Sequence, residues 1–176
     1  SAEGDEPLLM TYSDGQKPAY EWLKRLKESE LAGIIEKFGE ERYAFKIARA
    51  IKKNLPIKTT GKLADLIKGA VPRNYERGRI HPATRTFMAL RIFVNNELEN
   101  LEVVLRALDS ILGRGGRAAI ISFNSLEDRI VKRHFASLAK EKKAVLLNKK
   151  PIQPAREELI ENPRARSAKL RAIRII

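Results

Sequence analysis

Residues 115–135 read GGRAAIISFNSLEDRIVKRHF, and the fold turns on how this stretch is parsed. Arg117 to Phe123 is a short, almost wholly apolar run, the pattern of a strand covered on both faces. From Leu126 to about Ala139 the apolar residues recur at helical spacing. Between the two lies a polar knot of Asn124, Ser125, Glu127 and Asp128. In an open α/β sheet, ligands bind beyond the carboxyl ends of the strands, where an amide and a hydroxyl can meet a base or a sugar. The same residues also spell a helix start. Ser125 followed by Asp128 resembles a capping box, with the hydroxyl accepting from the third helical N–H and the acid favoured at the positive helix end. Spacing alone backs Ser125 as the cap, and a cap can orient a neighbour that does chemistry.

Toward the C-terminus, KEKKAVLLNKKPIQP (140–154) is a basic, hairpin-like segment with a strand at Ala144 to Leu147. AREELIEN (155–162) predicts a short helix, NPRARSAKL (162–170) a polar basic loop, and LRAIRII (170–176) a final strand. Toward the N-terminus, HPATRTFMALRIFVNNELENLEVVLRALDSIL (81–112) predicts one long helix or two joined ones, stopped by Gly113, Gly115 and Gly116. Before it come a helical pattern from Pro18 to Phe38 broken by Gly39, and a helix from about Glu40 to Lys53 ended by Pro56. A third follows, capped by Thr59 or Thr60 and closed by Val71-Pro72. RNYERGRI (73–80) is basic and turn-like. A helical block followed by helix, glycine turn, strand, helix, strand, loop and strand is the closing half of an α/β sheet.

Composition narrows the function. The 176 residues are 43% apolar and contain no cysteine. Disulfides, thiolate zinc sites and a cysteine nucleophile are excluded, and a reducing compartment fits. His81 and His134 are the two histidines, and neither has a partner at ligand spacing, so no metal site is expected. No apolar run is long enough to cross a bilayer, and SAEGDEPLLM lacks the basic start of a signal peptide. The net charge of +13 is uneven: residues 1–40 carry nine acids and five bases, and residues 41–176 carry thirteen acids and thirty bases. Such a basic body attracts polyanions, nucleic acid first, although lysine-rich proteins also carry charge that only keeps them dispersed. There is no P-loop and no G-x-G-x-x-G, and GRGGR precedes a strand rather than following one.

Two further clusters are candidates for contact with RNA. HPATRT (81–86) presents Arg85, which with Arg91 suits a phosphate or carboxylate, or a surface ion pair on an amphipathic helix. Asn162, Arg164, Arg166, Ser167 and Lys169 form the densest cationic loop. Arg164, Arg166 and Lys169 can grip successive phosphates, or the loop is simply solvated.

Four stretches, FGEERYAFKIARAI (38–51), HPATRTFMALRIFVNNEL (81–98), GGRAAIISFNSLEDRIVKRHF (115–135) and ENPRARSAKLR (161–171), carry a family resemblance. In order and spacing they resemble the bacterial small-subunit ribosomal RNA cytosine-N4 methyltransferases of the MraW/RsmH type, over nearly the whole chain. The resemblance implies the C-terminal part of a class I, S-adenosylmethionine-dependent methyltransferase sheet with a helical insertion domain. Residues 1–15 then correspond to the segment preceding the insertion, 16–80 to the insertion that recognises substrate, and 81–176 to the closing half of the α/β domain. The implied reaction moves a methyl group from S-adenosylmethionine to the exocyclic N4 of a cytosine. The implied partner is ribosomal RNA or the small ribosomal subunit, in the cytoplasm and away from membranes, and a homodimer is compatible. The glycine-rich turn and acidic residues that hold the donor in this family have no match here. No cofactor-binding residue is therefore carried over, no catalytic residue is assigned, and the chain alone is expected to be inactive. The residues left to hold RNA are Arg85, Asn124, Ser125, Asp128, Asn162, Arg164, Arg166, Ser167 and Lys169. The family usually has His where Asn124 stands and Gln where Met88 stands. A neutral amide cannot exchange a proton near neutral pH. The alternative expectation is a non-catalytic RNA- or ribosome-binding remnant of such an enzyme, and a weaker one is a helical scaffold whose charge is incidental.

Overall fold

The computed structural model describes residues 5–75 and 80–176, an α/β arrangement with a three-stranded sheet and many helices. The chain divides into two compact units, Ser1–Glu97 and Leu98–Ile176. Residues 76–79 of the expected basic turn at 73–80, and the start of the expected 1–15 segment, lie outside the described residues.

The first unit is helical: α1 Ala19–Arg25, α2 Glu28–Gly39, α3 Ala44–Lys53, α4 Thr60–Ala70 and α5 Thr84–Asn95. The pattern from Pro18 to Phe38 is two helices rather than one, because Leu26 and Lys27 adopt extended backbone. Ending α1 frees carbonyls, and the Lys52 ammonium takes three of them: it donates to Leu23 O (2.9 Å), Lys24 O (3.1 Å) and Leu26 O (2.8 Å). A cation at a helix C-terminus is favoured by the aligned peptide dipoles. Thr59, not Thr60, caps α4 through its hydroxyl. Leu23, Leu31, Ile35, Ile47, Ile51, Leu63, Ile67 and Leu90 fill the core. Gly39 lets α2 approach α5 closely, since a β-carbon there would stand 2.8 Å from the carbonyl oxygen of Arg85. Buried Asn95 fastens the N-terminal segment, donating from Nδ2 to Met10 O (2.7 Å) and accepting at Oδ1 from Tyr12 N–H (2.9 Å).

Of the two expectations for 81–112, the structure has the two joined helices, α5 and α6 Glu97–Ile111, broken where Asn96 takes left-handed backbone (φ 51°). Asparagine tolerates that conformation better than most side chains.

The second unit holds most of α6, then β1 Arg117–Ser122, α7 Ser125–Lys140, β2 Ala144–Leu146, α8 Arg156–Glu161, a 3-10 helix Pro163–Ser167 and β3 Lys169–Ile175. The sheet order is β1-β3-β2, antiparallel throughout, with Ser122 opposite Lys169 and Ala144 opposite Ile175. Leu105 and Leu108 of α6 and Val131, Phe135 and Leu138 of α7 pack with Ala144, Ile173 and Ile175 on one face.

Two expectations need correction. Among the described residues β1 is not covered on both faces: Ile121 and Phe123 are each 55% exposed, and Val145 and Leu147, across β3, are exposed on the same side. The described helices cover one side of an antiparallel sheet, and the strand alternates accordingly. The loop 162–170 is largely regular: a 3-10 helix anchored by buried Ala165, after which Lys169 already belongs to β3.

Candidate nucleic-acid interface

The antiparallel register of β1 and β3 assembles the site. Ser122 ends β1 opposite Lys169, which begins β3, so the knot after β1 and the 3-10 helix before β3 share one end of the sheet. Eight of the nine candidate residues lie in this second unit, whereas Arg85 lies in the first, where its guanidinium donates to Glu40 O (2.9 Å).

The cap of α7 is Asn124, one residue before the expected Ser125. Asn124 has extended backbone, and its Oδ1 accepts from Leu126 N–H (3.0 Å) and Glu127 N–H (2.9 Å). The Glu127 carboxylate reaches back to Phe123 N–H (2.9 Å), so the reciprocal acid is Glu127 and not Asp128. Ser125 is the first helical residue, a position from which a hydroxyl does not make the capping bond. The amide has a second end. Asn124 Nδ2 is buried and has no hydrogen-bond partner among the described residues. A buried donor of that kind calls for a ligand or a water.

Asp128 is occupied instead by cations. Its Oδ1 accepts from Arg171 Nε (2.7 Å), its Oδ2 from Arg171 Nη2 (3.2 Å), and Lys169 Nζ lies 3.6 Å from Oδ2. The Arg171 and Asp128 side chains are only 10% and 13% exposed. The hydrogen bonds from Arg171 hold the Asp128 carboxyl below its ordinary range, helped by the positive charges of Arg171 and Lys169, against partial burial acting the other way. This cluster ties the start of β3 to the first turns of α7 and braces the site rather than reaching out of it. Lys169 therefore spends its charge on Asp128, whereas Asn162, Arg164, Arg166 and Ser167 are exposed on the 3-10 helix and its cap.

Sequence reasoning missed Arg171. The signal was the alternation of the last strand, which places 171, 173 and 175 on one side together with Ile173 and Ile175. It also missed that Lys52 is engaged by backbone carbonyls. Of the partners expected for Arg91, the structure has a carboxylate, in a two-point pair with Glu97 (2.8 and 3.0 Å).

Among the described residues, the glycine turn and the acids beside β1 serve other contacts. The glycine turn precedes β1, and a β-carbon at Gly116 would meet Gly113 O at 2.8 Å, so that glycine serves the turn itself. Of the two acids just beyond β1, Glu127 accepts from Phe123 N–H and Asp128 is engaged by Arg171 and Lys169. No group of three or more His, Cys, Asp or Glu placed to hold a metal occurs among the described residues, nor is any described helix long and apolar enough to cross a membrane.

Known proteins match this chain along its length. It is 50% identical to "Ribosomal RNA small subunit methyltransferase H" of Coprothermobacter proteolyticus, over 99% of this chain and 58% of that protein. It is 48% identical to the protein of that name from Koribacter versatilis, over 98% of this chain and 56% of the relative. The Sulfurihydrogenibium sp. protein of the same name is 46% identical over 100% of this chain and 61% of its own length. The chain thus spans about three-fifths of the curated relatives it matches. The model of the MraW methylase family matches residues 2–176, and the chain belongs to that family.

Proposed function

We propose that this chain is the C-terminal, RNA-holding and pocket-completing part of an S-adenosylmethionine-dependent methyltransferase acting on the exocyclic N4 of a cytosine in small-subunit ribosomal RNA in the cytoplasm. On this reading residues 16–80 are the insertion that recognises substrate, and residues 81–176 close a class I methyltransferase sheet. The observation that carries it is the spare, buried Nδ2 of Asn124 at the carboxyl end of β1. In the class I sheet that this reading implies, ligands bind at the carboxyl ends of the strands. The family membership supplies the chemistry this position would serve.

The chain's own residues perform binding and orientation. Asn124 Oδ1 fixes the amide plane by capping α7, which leaves Nδ2 to donate to a base carbonyl or a ribose oxygen. Arg164 and Arg166 offer exposed charge to neighbouring phosphates at the same end of the sheet.

A specific observation favours a second reading, a non-catalytic RNA-binding remnant. Asn124 is an amide that cannot take up a proton near neutral pH. One experiment separates the two. The chain is joined to the donor-binding part of a relative, and small subunits lacking the modification are analysed for N4-methylcytidine by mass spectrometry. Appearance of the modified base supports the enzyme. A folded chimera that binds the subunits but leaves cytosine unmodified supports the remnant.

A further inference from the structure

The second unit has a groove between two of its helices. It lies between α6 and α7, has a volume of about 340 Å³, and is lined by Glu102, Leu105, Arg106, Ile130, Arg133 and His134. That volume falls within the roughly 300–1,000 Å³ of small-ligand sites. We infer that this groove is an additional RNA-contact site that takes one unstacked nucleobase, with its flanking phosphate held by Arg106 and Arg133. The inference rests on the RNA-binding reading above and adds a second point of contact to it.

Three observations converge. The floor is apolar: Leu105 is 1% exposed and Ile130 is partly buried against the same core. A flat apolar floor suits the face of a base. One polar atom of a lining residue lacks a partner. His134 Nε2 is buried without a hydrogen-bond partner among the described residues, although it can donate or accept according to its tautomer. A base edge or a ribose hydroxyl would satisfy it. The rim and its surroundings are cationic. Arg106 and Arg133 are exposed, and Lys132 and Lys140 lie exposed along the same helix as Arg133. Residues 98–176 carry seventeen bases and nine acids, so this unit as a whole attracts a polyanion.

Glu102 is the one acid on the lining, and it pairs with Arg106 at 3.5 Å with both side chains about half exposed or more. An exposed pair of that kind contributes little and is readily exchanged. Guanidinium planes beside an apolar floor are the surroundings in which proteins hold splayed-out bases of single-stranded RNA. A double helix would present only its backbone here, because its bases are stacked away. The occupant is accordingly single-stranded RNA rather than a duplex or an acidic peptide.

The test uses the full chain and a single-stranded RNA oligomer carrying 4-thiouridine. Cross-links are mapped by mass spectrometry, and affinity is followed by fluorescence anisotropy across a salt series. Cross-links on α6 or on the Ile130–His134 segment are expected. Changing Arg106 and Arg133 together to Ala should lower the salt slope by about 0.7, the share of one single-strand phosphate contact. His134→Phe keeps the ring volume and removes Nε2, and should weaken binding about three- to tenfold, the worth of one hydrogen bond. Circular dichroism confirms that each variant is folded. Cross-links confined to 124–128 and 162–171, with an unchanged slope in the double variant, would overturn the groove while leaving the RNA reading intact. Equal displacement by polyglutamate would show a site for any polyanion or acidic peptide and overturn it too. No RNA binding by the unaltered chain at low salt would overturn both readings.

Discussion

Arg171 and Asp128 meet in a two-point ion pair, 2.7 and 3.2 Å between heavy atoms, that ties the last strand to the start of α7. Both side chains are largely shielded from water. Removing one partner leaves the other poorly compensated, which costs about 3–5 kcal/mol for fully buried pairs. Lys169 stays near Asp128 and both groups keep some exposure, so Arg171→Met should cost less, about 2–3 kcal/mol. Adding Asp128→Asn to Arg171→Met should cost less than the two single changes summed. Urea midpoints followed by circular dichroism give all three values, and strict additivity would mean that the pair is not coupled.

The same pair sets an acid sensitivity. The Asp128 carboxyl titrates below its ordinary 3.8 in the folded chain, so folding favours the ionised form. The stabilisation is fully present above the unfolded value near 3.8. It is lost as the pH falls from there through the lower folded value. The stability difference between the native chain and Asp128→Asn should therefore be constant from pH 5 to 7 and shrink below pH 4. A difference that holds steady down to pH 2 would exclude the linkage.

Capping and ligand contact can be separated at Asn124. Asn124→Ala should destabilise by about 1 kcal/mol through loss of the cap. Ser125→Ala leaves both capping bonds in place and should cost less than Asn124→Ala. Asn124→Asp keeps an oxygen cap at a helix N-terminus and abolishes the Nδ2 donor. It should match the native urea midpoint at neutral pH yet bind RNA more weakly. Unaltered RNA affinity in that variant would take the amide out of the interface.

Two glycines of one helix should respond in opposite directions to the same change. Gly39→Ala drives a β-carbon against the Arg85 carbonyl, and overpacking of this kind costs about 1–3 kcal/mol before a helix gain of about 1. Gly33→Ala meets nothing within 4 Å on the exposed side of α2, so only the helix gain remains, about 0.5–1 kcal/mol. Melting temperatures that move the same way for both would contradict the close approach of α2 to α5.

For RNA, changing Arg164 and Arg166 together to Ala should flatten the salt dependence of binding by about 1.4, with little effect on folding. Lys169→Ala should instead show its main effect in stability, because its ammonium lies beside Asp128. A salt slope unmoved by the double change would place the interface elsewhere on the basic surface.

The elements were legible wherever apolar periodicity met a clear stop. β1 was expected at 117–123 and runs Arg117–Ser122; α7 was expected at about 126–139 and runs Ser125–Lys140. The apolar run before Asn124 and the helical stripe after it left little freedom. The cap was misplaced by one residue because an amide and a hydroxyl stand side by side, and either can accept from the first turn. Covering of β1 was misjudged because an all-apolar run does not report which of its faces a neighbour occupies. The nearness of the knot and the cationic segment depends on β1 pairing with β3, a contact between residues far apart in the chain. The role of Arg171 was hidden for the same reason, since its partner is 43 positions away.

The uncovered side of the sheet changes how folding of this chain has to be followed. Ile121, Phe123, Val145 and Leu147 offer a hydrophobic dye a native binding surface, so dye fluorescence starts high before any heating. The sole tryptophan, Trp22, rests edge-on against Phe93 at 5.0 Å in the helical unit. Its emission reports on its surroundings in that unit. A melt read by tryptophan and one read by dye are thus measurements on two different parts of the molecule, and a disagreement between them is a signal rather than an artefact.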